Sequence, residues 1–517
     1  MTLSRRTALA LAGAAVTART TEAAAQADTR PILRVAVQAL PPSLDPIESL
    51  TAVGQRISDN VFDTLLRRDF AAEQRDGRAV IRPHLATKVE QRDPLTWAAT
   101  LREGVMFHDG FELTAEDVAA SFEEDRLWGA KAPYYQGRAA WGHLDRVTAE
   151  DSRTVLFRTK APDLVMPMRL ASFAAGIGSR RAMQAAGVQG WRTRPIGSGP
   201  YRIAAFDPDT RVVMDSHDAY FQGRPAARRV IVTAVSEASS RLAGLRAGDF
   251  DLVTSLLPDQ RSALAQDPHL EAVSVPMDLV HLLYFDTRRP ALRDPRVRQA
   301  LVHAVDTDLI THTLWGASAR PLHVLQSPTF GDLYEPNRPG LVYDPDLARR
   351  LLAEAGWPAQ EIVIRIVAGY WVNMLSAVQI VQEMWRAVGV PSRIEVVESR
   401  GTLERPGADV RPTTVTFRFP DPLGGGLLPY FSRQFLIQEQ GFWRSDRFNA
   451  LTDQFTAAVD PGTRRALWHS LLDTFEAEAP ALILYPVQEV IAKRRDVRFV
   501  QDPQFLMDLR PANFGFL

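Results

Sequence analysis

The sequence predicts an α/β fold with mixed sheets, distributed over two or three domains. Strand, loop and helix recur in that order in the second half of the chain. In the first half, three strands follow one another with only turns between them, which adds antiparallel neighbours. At 517 residues the chain also exceeds what one hydrophobic core supports.

The alternation in Leu33-Arg34-Val35-Ala36-Val37 marks the first strand. Short strands are expected near 96–101 and 154–158, flanking a helix that starts at Leu113-Thr114-Ala115-Glu116-Asp117. Thr114 is placed to cap it, with Asp117 at the third helical position and Val118, Ser121 and Phe122 facing inward. Residues 200–206, 211–216 and 229–235 read as the three successive strands. A helix over 239–247 follows and is stopped by Gly248.

Near residue 286 the organisation changes. Asp294-Pro295 supplies a cap and a first-turn proline to a helix with Val297, Ala300, Leu301, Ala304 and Val305 on one stripe. Asp344-Pro345 repeats the device, and that helix ends at Gly356. A strand over 362–367 leads through Gly369-Tyr370-Trp371 into a helix on which Val378, Val381, Met384, Trp385 and Val388 share a face. Tyr370 and Trp371 then lie at the carboxyl end of a strand, where α/β sheets hold ligands.

The 60 basic and 61 acidic residues are dispersed, with no Lys/Arg block to mark a nucleic-acid or lipid surface. Cysteine is absent, which excludes disulfides, thiolate nucleophiles, Cys-based zinc sites and a lipoprotein anchor. At the amino terminus, Ser4-Arg5-Arg6-Thr7 precedes an apolar run from Ala8 to Val16, and Ala25-Gln26-Ala27 closes the segment. Residues 1–27 are therefore expected to be a twin-arginine signal cleaved before Asp28. The run is too short to span a bilayer, so a free periplasmic protein is expected. No G-x-S-x-G or H-E-x-x-H occurs, and no S-x-x-K opens a helix. The ten histidines lack metal spacing, so neither catalysis nor a cofactor is expected. His108, His281 and His323 stand isolated.

Four stretches resemble the family 5 solute-binding proteins of ABC importers, the peptide, nickel and opine group. The first runs from Leu85-Ala86 through Leu101-Arg102-Glu103-Gly104-Val105-Met106-Phe107-His108-Asp109-Gly110 to the Thr114 helix start. The second is Gly197-Ser198-Gly199-Pro200-Tyr201 with Tyr220-Phe221-Gln222-Gly223-Arg224-Pro225. The third is Leu245-Arg246-Ala247-Gly248-Asp249-Phe250-Asp251, and the fourth Leu292-Arg293-Asp294-Pro295-Arg296-Val297-Arg298-Gln299-Ala300-Leu301.

The resemblance implies a two-lobed periplasmic binding protein-like II fold with an extra inserted subdomain. Lobe I would comprise 28–75, 195–285 and 486–517, the insertion 76–194, and lobe II 286–485. It implies a monomer that captures a small peptide-like, amino-acid-derived or opine-like solute for an ABC permease. A metal, metallophore or oligosaccharide ligand is the alternative within the family, and a periplasmic hydrolase the alternative outside it.

Phe417-Arg418-Phe419-Pro420-Asp421-Pro422 is similar to the segment in which peptide binders of the family hold the ligand's amino group. This nominates Asp421 for an ammonium and Arg418 for a carboxylate or phosphate. Leu423-Gly424-Gly425-Gly426 departs from the bulkier residues the family has next. Tyr370, Trp371, Trp141, Tyr134 and its neighbour Tyr135 are the aromatic candidates for the cleft. Ser43, in Pro41-Pro42-Ser43-Leu44-Asp45-Pro46, is a polar candidate, whereas Asp45 is expected to cap the next segment.

Overall fold

The structure is a computed structural model that describes residues 28–49, 51–132, 135–264, 266–316, 319–367, 369–433 and 436–517. The expected signal and Tyr134 lie outside the described residues. The strands are, in chain order, β1 (Ile32–Val37), β2 (Leu66–Arg68), β3 (Ile81–Pro83), β4 (Ala86–Asp93), β5 (Thr96–Leu101) and β6 (Leu144–Ala149). Next come β7 (Thr154–Thr159), β8 (Tyr201–Asp207), β9 (Arg211–Ser216), β10 (Arg229–Ala234), β11 (Leu252–Val253) and β12 (Leu270–Phe285). The last six are β13 (Ile362–Val367), β14 (Ser392–Val397), β15 (Val410–Thr416), β16 (Ala481–Arg494), β17 (Val497–Phe499) and β18 (Phe514–Phe516).

One sheet joins ten of them in the order β14-β13-β15-β12-β16-β11-β1-β10-β9-β8. In the first lobe β1 is parallel to β10 and β11, while β8, β9 and β10 meander antiparallel. In the second, β13 is parallel to both β14 and β15. All six residues of β13 are buried, as befits a parallel strand covered on both faces. Even Arg365 is buried there, held by Glu395 at 3.2 Å.

Two long strands make the join. Residues 270–276 of β12 pair with 488–494 of β16, and 280–284 pair with 481–486 after a register shift. From Leu279 onward β12 also pairs with β15. Each crossing strand carries a proline at the shift, Pro276 and Pro486, and neither can donate to the ladder. The sheet is thus interrupted where the lobes meet. The shift falls between Pro276 and Val280.

The four-stranded antiparallel sheet β4-β5-β7-β6 lies inside the expected insertion. Its core includes Phe107, Phe122, Trp141, Phe157 and Met166. Thr114 and Asp117 form the predicted capping box on the helix Ala115–Ser121. Asp294 and Asp344 cap their helices with proline in the first turn, as the sequence requires. The carboxy-terminal segment returns to the first lobe, where Val497, Phe499, Met507, Leu509 and Phe514 join the core of β1, β8, β9 and β10.

Candidate functional site

The strand directions place the site. Thr416 ends β15 opposite Leu279, where β12 arrives from the first lobe, so the carboxyl ends of β13 and β15 face the crossing. Val253 ends β11 opposite Ala492, and β16 runs from there back toward the second lobe, so the carboxyl ends of β1 and β11 face the crossing too. Two edges of the kind at which α/β sheets hold ligands therefore confront each other.

Between the inserted subdomain and the second lobe lies a narrow gap of about 20 Å³. Trp141, Arg169 and Ser172 line one side; Arg418, Phe419 and Leu423 line the other. Two residues singled out in the sequence, Trp141 and Arg418, thus meet across it. Trp141 is 1% exposed, donates its indole N–H to the Ala174 carbonyl at 3.0 Å and meets Phe122 edge-on at 4.7 Å, so only its rim borders the gap. The Arg169 guanidinium sits 5.3 Å from the Phe419 ring centroid, which ties the two walls together. Its Nε donates to Asp163 at 2.8 Å, and His143 lies 3.0 Å from the same oxygen. Burial pushes the His143 imidazole down to about 4, leaving it neutral at pH 7.

Arg418 follows β15 on a tightly held backbone. Its N–H donates to the Gly424 carbonyl at 2.9 Å, and its own carbonyl accepts from Gln504 Nε2 at 2.9 Å. Among the described residues, no side chain pairs with its guanidinium. Glycine makes this fold-back possible: a Cβ on Gly425 would stand 2.3 Å from the Phe417 Cα and from the Thr416 carbonyl oxygen. Gly426 has φ +67°, in the left-handed region. The glycine run after Leu423 thus has a steric reason.

Asp421 does not line the gap. It is 7% exposed; Oδ1 accepts from the Leu423 N–H at 2.9 Å and Oδ2 from Arg464 Nη2 at 2.8 Å. Burial raises its pKa despite the Arg464 charge. Trp371 donates to Thr414 Oγ1 at 2.8 Å and is nearly buried, whereas Tyr370 is half exposed and packs on it at 4.6 Å. Both sit on the predicted edge beyond β13, though not in the gap's lining. Ser43 is fully buried, and its hydroxyl accepts from the Asp45 N–H at 3.1 Å in the turn after β1. Asp45 accepts from the Ile47 N–H, the capping role expected of it.

Sequence reasoning missed Arg169, on the short helix Met166–Leu170, and the polar cluster at the first-lobe edge. In that cluster Ser255 Oγ donates to Gln38 Oε1 at 3.0 Å, and Arg56 pairs with Glu489 at 2.5 Å. Ser255 holds φ +53°, a strained conformation for serine that no sequence pattern announces. Gln504 was missed as well. Its Nε2 reaches from the carboxy-terminal segment to the Phe417 and Arg418 carbonyls, at 2.7 and 2.9 Å.

A wider depression of about 560 Å³ lies elsewhere, between the turn that carries His108 and the end of β9. It touches the first lobe and insertion only, and its Asp215 and Asp218 are paired with Arg229 and Arg30. His108 donates to the Gly199 carbonyl at 2.9 Å, and burial pushes its pKa down to about 3. His281 is likewise pushed to about 3 by burial and bonds Thr414, while His323 meets Asp308 at 3.1 Å. Among the described residues no cluster of three His, Asp or Glu fits a metal ion, and no helix is long and apolar enough to cross a membrane.

The model for bacterial extracellular solute-binding proteins, family 5, middle region, matches residues 80–435. The dipeptide-binding protein of Escherichia coli (strain K12) is 26% identical over 458 residues, 83% of this chain and 85% of that one. The dipeptide-binding protein of Pseudoalteromonas sp. SM9913, solved with Met-Leu, superposes with TM-score 0.82 at 22% identity, covering 94% of this chain and all of that one. AgaA from A. tumefaciens R10, solved with agropinic acid, gives TM-score 0.79 at 20% identity over 94% and 99% of the two chains. With two lobes, an inserted subdomain and a gap between facing sheet edges, the chain belongs to the bacterial extracellular solute-binding proteins of family 5.

Proposed function

We propose that the protein captures a small peptide-like, amino-acid-derived or opine-like solute between its lobes and delivers it, unaltered, to the membrane-spanning subunits of an ABC importer. The observation that carries this reading is the gap itself. It lies between two bodies joined by strands whose ladder breaks at Pro276 and Pro486, so hinge motion can open and close it. The dipeptide and agropinic acid named for two relatives support the ligand class. Arg418 and Trp141 border the solute, Tyr370 and Trp371 extend the second-lobe wall, and Asp421 and Ser43 hold the loops that frame it. The protein acts as a periplasmic monomer after export through its twin-arginine segment.

The test is a thermal-shift screen of the mature chain against dipeptides, opines and N-acyl amino acids, paired with uptake in a deletion strain. A true ligand raises the melting temperature by mass action. No shift with any class, together with normal uptake in the deletion strain, would refute the proposal.

A further inference from the structure

We infer that the gap recognises a carboxylate and not an ammonium: Arg418 anchors the anionic group of a solute whose amine is absent or blocked, such as an N-acyl amino acid or N-acyl peptide. This rests on the capture reading above and specifies its ligand.

Charge decides the matter. Arg169 and Arg418 are the charged residues lining the gap, and they approach it from opposite sides. Arg169 already has Asp163 for a counter-ion, but Arg418 has no described partner. Its forked donors suit a carboxylate held by two parallel bonds. The backbone on both sides of it is fixed, by Gly424 and by Gln504, so the point from which the side chain departs is set beside the gap.

An ammonium finds nothing comparable. Asp421, the acid nearest in sequence, has one oxygen on the Leu423 N–H and the other on Arg464. Asp163 is shared between Arg169 and His143. A free amine in the gap would therefore face two guanidiniums with no available carboxylate, at a net cost in a poorly hydrated space. The remaining walls, Trp141, Phe419, Leu423 and Pro429, are apolar, and once hinge motion widens the gap they would meet the acyl or side-chain body of such a ligand.

The experiment uses three matched probes, Leu-Phe, N-acetyl-Leu-Phe and Leu-Phe amide, titrated by calorimetry into the mature chain and into Arg418→Gln. The N-acetyl compound is expected to bind at least as tightly as the free dipeptide. The amide is expected to bind about tenfold or more weakly. Arg418→Gln should lose that same factor for the two acids and nothing for the amide, with its melting temperature unchanged. Arg418→Lys should restore part of the loss, since a point charge replaces the fork.

Loss of binding on acetylation, with the amide still bound, overturns the inference and leaves the capture reading intact. So does equal binding of all three by wild type and Arg418→Gln. If none of the three binds, the same chains are incubated with a mixture of N-acyl amino acids, opines and free di- to pentapeptides. The retained molecules are then identified by mass spectrometry. Retention of acids with blocked amines by wild type alone supports the inference, and retention of free amines irrespective of Arg418 overturns it. Retention of nothing refutes capture of this ligand class and the inference with it.

Discussion

The Asp421 carboxylate is bonded to Arg464 Nη2 at 2.8 Å, and both side chains are withdrawn from solvent. Arg464 also lies 4.2 Å from the Phe455 ring centroid, so the pair fastens the loop after β15 to the helices behind it. Removing one partner leaves a buried charge uncompensated. Arg464→Met and Asp421→Ala are each expected to cost about 3–5 kcal/mol in urea unfolding. The double variant Asp421→Leu with Arg464→Met should cost less than either single change, because no orphan charge remains. If Asp421→Ala left stability unchanged and removed ligand binding instead, Asp421 would be a ligand contact and not a loop anchor.

Gly425→Ala tests the same loop sterically. The added methyl would press on the Phe417 Cα and the Thr416 carbonyl, which are backbone and cannot rotate away. The expected loss is about 1–3 kcal/mol, together with weaker binding because Arg418 rides on the displaced strand. Gly401→Ala is the control. Its methyl meets only the Ser399 hydroxyl, at 3.9 Å, and the change should stay within about 0.5 kcal/mol.

The fold was largely legible because its signals are local. The capping box at Thr114 and Asp117, the Asp-Pro helix starts at 294 and 344, and the glycine stop at Gly248 each act within a few residues. The site was half legible. Arg418 and Trp141, nominated from the sequence, line the gap, whereas the partner of Asp421 lies 43 residues further on and no spacing announces it. Arg169 lines the gap and Gln504 holds the Phe417 and Arg418 carbonyls, both from segments with no motif at all. Their contribution arises from tertiary placement, which periodicity does not encode.

Gln504 bridges the lobes from a third segment, besides the two crossing strands. Its carboxamide donates to the Phe417 carbonyl at 2.7 Å and the Arg418 carbonyl at 2.9 Å. Gln504→Leu removes both bonds and should cost about 1–3 kcal/mol, since the carbonyls lose a donor in a buried place. The lobes should also separate more readily, giving a larger radius of gyration in small-angle scattering without ligand. An unchanged radius with unchanged binding would confine Gln504 to a structural role within the first lobe.

Asp63 makes the protein acid-sensitive, in a direction that follows from its partners. Fully buried, it accepts from His84 Nε2 at 2.8 Å, Arg510 Nη2 at 2.7 Å, Ser198 Oγ at 3.0 Å and the Tyr220 hydroxyl at 3.2 Å, joining five separate segments. Burial alone would raise its pKa, but the Arg510 guanidinium and His84 hold the carboxyl far below the usual range. A depressed carboxylate contributes stability above its unfolded value, about 3.9, and loses it as pH falls through the folded value. His84 acts in the same direction. Burial lowers its pKa, so stability is lost as pH drops below the unfolded value of about 6.5. Urea midpoints should therefore decline first below about pH 6.5, from His84, and again from about pH 4 downward, from Asp63. Asp63→Asn should cost about 3–5 kcal/mol at pH 7, and the gap between variant and wild type should shrink toward pH 3. A constant difference across that range would mean that the buried Asp63 charge does not set the acid limit.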